Sequence, residues 1–190
     1  MPVNINADTV VGGAIVTADA SGVLALQSAG TTGLTVTSGN LTVANKMTVV
    51  GTSSTAGLKI ADVLETATVS ATAATGTINY DVTTQVVLFY TSNASANWTV
   101  NFRGSSGTSL NTLLATGESV TAAFLVTQGS TAYYNSSVQV DGTTSGVTTR
   151  WQGGTAPSAG NASGVDAYTY TIIKTANATF SVFAAQTRFA

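Results

Sequence analysis

The chain has 190 residues, eight Asp and Glu against six Lys and Arg, a net charge of −2, and neither Cys nor His. Those absences exclude disulfides and thiolate metal sites, and remove the commonest general base and transition-metal ligand. Six basic residues scattered along the chain do not form the patch that nucleic-acid binding requires. Hydrophobic residues make up 44%, enough for a core, while charged residues make up 7% against roughly 25% in ordinary soluble proteins. The surface must therefore be covered largely by hydroxyls and amides. Thr is in excess, at 35 residues. With Val it is β-branched and suits a pleated, half-buried surface. The expected fold class is all-β.

Met1-Pro2-Val3-Asn4 opens without a basic stretch followed by an apolar run, so no signal peptide is expected. No apolar run reaches 18 residues, so no membrane insertion is expected. Residues 1–57 then read as a region of very short strands broken by turn residues. Its core is GLTVTSGNLTVANKMTVVG, residues 33–51, which repeats one unit three times: Leu34-Thr35-Val36, Leu41-Thr42-Val43 and Met47-Thr48-Val49. Alternation puts Leu34, Val36, Leu41, Val43, Met47 and Val49 on one face and the Thr hydroxyls on the other. Ribbons this short cannot bury that face alone. The region is expected to be a stalk or docking segment whose apolar face is covered by other chains, with a homotrimer as the expected assembly.

Residues 58–66 form a junction, with Leu58, Ala61, Val63 and Leu64 on one face of a short helix or on a strand entering the next domain. From 67 to 190 the runs lengthen. Strands are expected at Thr66–Ala71, Thr77–Tyr90, Trp98–Phe102, Ser119–Thr127, Tyr133–Val140, Thr148–Trp151, Tyr168–Lys174 and Thr179–Ala184. Ser109–Thr116 reads as one short helix with Thr108 or Ser109 as N-cap and Gly117 as its stop. This spacing, with both Trp and most other aromatics, predicts an antiparallel β-sandwich or jelly-roll-like domain.

Several strings of this second domain occur together in a known setting. They are Tyr90-Thr91-Ser92-Asn93, Asn97-Trp98-Thr99-Val100-Asn101-Phe102-Arg103-Gly104, the run Phe124 to Tyr134, Trp151-Gln152-Gly153-Gly154, and Tyr168 to Thr175. In these the chain resembles a C-terminal module of fibre-like structural proteins of tailed bacteriophages, notably marine cyanobacterial phages. The likeness covers about residues 60–190, and more loosely 10–50, where Asp19 to Leu26 is similar to linking segments of such proteins. It implies a non-enzymatic virion protein made in the host cytoplasm and carried on the particle surface. One form is a trimeric fibre or appendage whose C-terminal domain is presented outward for adhesion to a host cell-surface glycan. The alternative is a capsid-surface decoration protein that clamps capsid subunits through its N-terminal region. The module's usual company favours the first and the short length the second. Its partners are then itself and other virion proteins of capsid or tail.

Chemical motifs are sparse. Asp62 and Glu65, three apart, lack the marks of a glycosidase pair. Ser and Thr abound, but no His is present to activate a nucleophile. Gly12-Gly13 and Gly153-Gly154 match no phosphate-binding loop. Asp141-Gly142 reads as a tight hairpin turn. A Ca²⁺ site from Asp141, Asp166 and carbonyls lacks EF-hand spacing, so no metal and no cofactor is expected. Trp151 with Gln152 sits at a loop edge, where the indole either plugs the core or stacks on a sugar ring. Tyr133-Tyr134, in a strand, would place one ring outside. These four residues are the candidate receptor contacts.

The docking reading has a direct test. Val36→Asp with Val43→Asp should abolish oligomerisation in analytical ultracentrifugation while the C-terminal domain keeps its thermal transition. The same change at Thr35 and Thr42 should be far milder. Equal effects of the two pairs would mean that the alternation carries no structural information.

Overall fold

In the computed structural model, which describes residues 62–190, two five-residue strings set the architecture. Thr77-Ile78-Asn79-Tyr80-Asp81 lies in parallel register beside Thr99-Val100-Asn101-Phe102-Arg103, so that Ile78 meets Val100, Asn79 meets Asn101 and Tyr80 meets Phe102. A third string, Ser137-Val138-Gln139-Val140, adds a further rung, with Val138 beside Val100 and Val140 beside Phe102. Like therefore stacks on like. Ile78, Val100, Val138, Tyr80, Phe102 and Val140 are all buried. On the opposite face the Asn101 amide donates to Asn79 Oδ1 at 2.8 Å, and Arg103 pairs with Asp81 at 2.5 Å. The 1–57 region and the six residues expected at its interface, Leu34, Val36, Leu41, Val43, Met47 and Val49, lie outside the described residues.

The three strings belong to β2 (Gly76–Asp81), β4 (Trp98–Arg103) and β6 (Asn135–Val140), a wholly parallel sheet. The segments between them, β1 (Ala67–Ala73), β3 (Val87–Ser92) and β5 (Ser119–Thr127), are parallel neighbours in a second sheet. Each connection thus carries the chain from one sheet to the other, and β1 to β6 wind as a parallel coil. Ala67 is paired with Val87, one winding on. Val87 is paired with the more distant Ala123, because this winding also carries α1 (Leu110–Leu113). Then come β7 (Val147–Trp151), a 3₁₀ turn at Gln152–Gly154, β8 (Val165–Ala176) and β9 (Thr179–Phe189). β8 runs antiparallel to β5, β9 antiparallel to β8, and β7 parallel to β9, giving a six-stranded sheet ordered β1-β3-β5-β8-β9-β7.

The all-β class is as expected, and two sheets enclose one core. The antiparallel arrangement is not general: between strands it is confined to β5, β8 and β9, and the other strand pairs among the described residues are parallel. The reason lies in the connections. The run Thr77–Tyr90 is two strands, not one, because residues 82–86 cross between sheets. There the Val82 and Thr83 amides donate to Arg103 O and Gly104 O, and the Gln85 side chain donates to Asp81 O at 2.9 Å. The two backbone bonds run to the next winding and the Gln85 bond braces the corner itself, so the chain advances to the other sheet where a hairpin would return it. Asp141-Gly142 does form a two-residue turn with φ of 51° and 81° at its centre, as a type I′ turn requires. It leads out of β6, but β7 pairs with β9. Residues 62–66 are neither helix nor strand.

The core lies between the sheets and is aromatic. Trp98 is fully buried and meets Phe124 and Tyr168 edge-on, with centroids at 6.0 and 5.6 Å. Phe102 meets Tyr170 at 4.9 Å and Tyr80 at 5.3 Å. Such pairs contribute about 0.5–1.5 kcal/mol each beyond area burial. Burial pushes the Tyr80 hydroxyl up to about 12, and those of Tyr168 and Tyr170 also upward. Tyr80 donates to the carbonyls of Val86 and Ala123 and Tyr170 to Asn135 Oδ1, while the Tyr168 hydroxyl accepts from Asn135 N and Gln186 Nε2.

Four residues are too few for a stable isolated helix, and α1 is held from both ends. Ser109 Oγ accepts from Thr112 N at 3.0 Å, and the Asp141 carboxylate accepts from Leu110 N and Asn111 N at 2.6 and 2.9 Å. The buried Lys174 ammonium donates to Asn111 O and Leu114 O at 2.6 and 2.9 Å. Negative charge sits at the N-terminus and positive charge at the C-terminus, the favourable sense of the helix dipole. Lys174→Met should lower the unfolding free energy by about 1–3 kcal/mol, since it orphans two carbonyls. Phe102→Ala, which opens the stacked row, should cost about 3–5 kcal/mol. Equilibrium urea denaturation of the full chain measures both, and a smaller loss for Phe102→Ala than for Lys174→Met would reverse the assigned hierarchy.

Candidate functional site

Strand β7 ends at Trp151, where the indole is half-buried against the core. Its ring meets Tyr168 and Tyr170 edge-on at 6.3 and 6.2 Å. The chain then turns through Gln152–Gly154, where Gly153 and Gly154 take φ of 77° and 81°, a region open to glycine at no steric cost. Gln152 is left exposed. Trp151 and Gln152 together line a cleft of about 310 Å³ with Arg150, Thr169, Thr171 and Phe183. On the other side they border a smaller cleft of about 250 Å³ with Pro157 and Gln186.

Tyr133 and Tyr134 are placed differently from the expectation. They precede β6 and are not part of a strand, so the argument that pleating sends their rings to opposite faces does not apply. A side chain takes the place of a neighbouring strand. Gln128 Nε2 donates to Tyr133 O at 2.7 Å, and Tyr133 N donates to Gln128 Oε1 at 3.0 Å. Tyr134 N donates to Asn97 Oδ1 at 3.1 Å. The Tyr133 ring packs against the core. Neither Tyr lines the Trp151 clefts.

Arg150, Thr169, Thr171 and Phe183 of the larger cleft escaped sequence reasoning. Arg150 on β7, Phe183 on β9 and Thr171 on β8 occupy one cross-strand row, so their side chains share the outer face of the sheet. Phe183 is 49% exposed. The signal was present: Phe180, Val182 and Ala184 alternate into the core, which leaves Phe183 as the out-of-phase aromatic on the outside. Arg150 is exposed and makes no hydrogen bond or ion pair with the other described residues. The cleft is thus lined by a cation, an exposed ring, an amide and two hydroxyls, with no carboxylate.

The two Asp considered as calcium ligands are engaged elsewhere. Asp141 holds α1. Asp166 is fully buried, with Oδ2 accepting from Gln128 Nε2 at 2.9 Å and Asn161 N at 3.0 Å, and Oδ1 without a partner. Burial pushes its carboxyl above the usual range, opposed by those two hydrogen bonds and by the charge of Arg188. Gly160 closes over the group; a Cβ there would lie 2.3 Å from Tyr133 O and 2.7 Å from Asp166 Oδ2. Among the described residues no cluster of three or more His, Cys, Asp or Glu is arranged to hold a metal, and no helix is long and apolar enough to cross a membrane.

No family model, curated protein or solved structure matches the chain.

The Asp166 environment makes a signed prediction. A carboxyl whose folded value is raised holds its proton more tightly in the folded state. Its contribution is fully present below the unfolded value, near 4, and is lost as pH rises through the folded value. The stability difference between the protein and Asp166→Asn should therefore move in favour of the variant from about pH 4 upward, then level off. Urea midpoints measured across pH check this, and a pH-independent difference would exclude a raised carboxyl.

Proposed function

We propose that the protein is a non-enzymatic structural component of a bacteriophage particle, a trimeric fibre-like appendage whose C-terminal domain faces outward and contacts the host surface. The parallel coil carries this reading. In it each winding rests on the next through backbone ladders, stacked side chains and an amide pair, which suits a protein that transmits force along an axis. The low charge supports permanent assembly, because a charge buried at a subunit interface is costly. The cleft supports contact chemistry over bond breaking. The Arg150 guanidinium offers donors and no acceptor, and Gln152, Thr169 and Thr171 offer hydrogen bonds without an activating partner. The resemblance of residues 60–190 to fibre modules gives the setting.

Immunogold labelling of purified particles tests the placement. Label at tails or vertices supports the appendage, even label over the head supports capsid decoration in its place, and absence from particles overturns both. For the assembly state, sedimentation equilibrium should return three times 19.0 kDa, and a stable monomer at micromolar concentration would refute the trimer.

A further inference from the structure

We infer that the cleft beside Trp151 binds a carboxylate-bearing saccharide. This deepens the adhesion reading and rests on it for its biological sense. Neighbouring strands are spaced about 4.8 Å apart, so in the row Thr171–Phe183–Arg150 the ring lies one strand spacing from the hydroxyl on one side and from the guanidinium-bearing strand on the other. Thr169 stands one row along, opposite Ala185, and Gln152 closes the end of the cleft. Its volume, about 310 Å³, lies at the small end of ligand pockets.

Each group limits the ligand. Phe183, 49% exposed, offers a flat apolar platform, which a free inorganic anion would not use. Arg150 is exposed in a cleft without a carboxylate of its own. A guanidinium is a planar fork that matches a carboxylate through two parallel hydrogen bonds. A wholly apolar ligand would leave that cation and the Gln152 amide without partners, at a cost in affinity. A ring with a C–H face, hydroxyls and one carboxylate uses all of them: the face on Phe183, the carboxylate on Arg150, and the hydroxyls on Gln152, Thr169 and Thr171. Trp151 backs the cleft without needing to move, since its ring is already held by Tyr168 and Tyr170.

Isothermal titration of the purified full-length protein with trigalacturonate, its methyl ester and acetate tests the inference. Trigalacturonate should bind saturably at micromolar to millimolar concentration. The methyl ester, which keeps the ring and loses the charge, should bind at least about tenfold more weakly, and acetate should not saturate. Arg150→Gln should bring the acid down to the level of the ester. Phe183→Ala should weaken both by a similar factor, and Phe183→Leu, which keeps the bulk but not the flat ring, should reproduce that loss with an unchanged thermal transition. Absence of saturable binding, equal affinity for acid and ester, or affinity untouched by Arg150→Gln and Phe183→Leu would overturn it. None of these outcomes bears on particle location, so this inference and the structural reading fail separately.

Discussion

The side-chain rows that run across parallel strands hold the rest of this domain in place. Tyr80, Phe102 and Val140 form one row, Ile78, Val100 and Val138 another, each residue resting on its counterpart one winding away. A parallel register keeps these counterparts level, so a slip of one residue would turn every buried member outward and every amide inward. The position of the crossing at residues 82–86, the burial of Trp98 and the seat of α1 all presuppose that register. The antiparallel strands β8 and β9 extend it: β8 joins β5 along nine residue pairs from Ser119 to Thr127, so the coil's geometry is passed to the strands that carry the cleft.

Much of this could be read from the residues, and the part that could not has a definite cause. The sequence places Ser119–Thr127 to the residue, narrows the helix cap to Thr108 or Ser109, of which Ser109 takes the role, and marks the turn at Asp141-Gly142 by its chemistry. It does not mark strand direction, since period-2 alternation is identical in a strand that returns by a hairpin and in one that crosses to a facing sheet. The distinguishing signal lay at longer range. Thr77-Ile78-Asn79-Tyr80 and Thr99-Val100-Asn101-Phe102 match in character at every position, and such a recurring unit is the mark of a coil. In the cleft, Trp151 and Gln152 were found from their individuality as a motif. Arg150 and Phe183 required knowing which strands lie side by side. Tyr133 was misplaced because a Gln side chain can imitate a strand, which no local pattern reports.

With so few charges, their locations are informative. Asp81 and Arg103 pair across adjacent windings. Asp141 and Lys174 come from different parts of the chain and meet at opposite ends of one short helix. Asp166 is closed beneath Gly160. In each case the charge joins segments distant in sequence. Arg150 alone among the four described basic residues lines a cleft without a partner among the described residues.

The winding has a consequence for how such a chain can change over generations. Each turn of the coil rests on the turn beside it, and β2, β4 and β6 present side chains of like character at the same heights. Duplication or loss of one complete turn would therefore keep the rows of β2, β4 and β6 in step, whereas a deletion of one residue inside a strand would throw them out of phase. The second winding already shows the tolerance this allows. It is lengthened by the segment bearing α1, yet β5 still lies level with β3 and β6 with β4. Length in this architecture is a quantity that can vary in whole turns, with extra material carried at the corners and the rows left undisturbed.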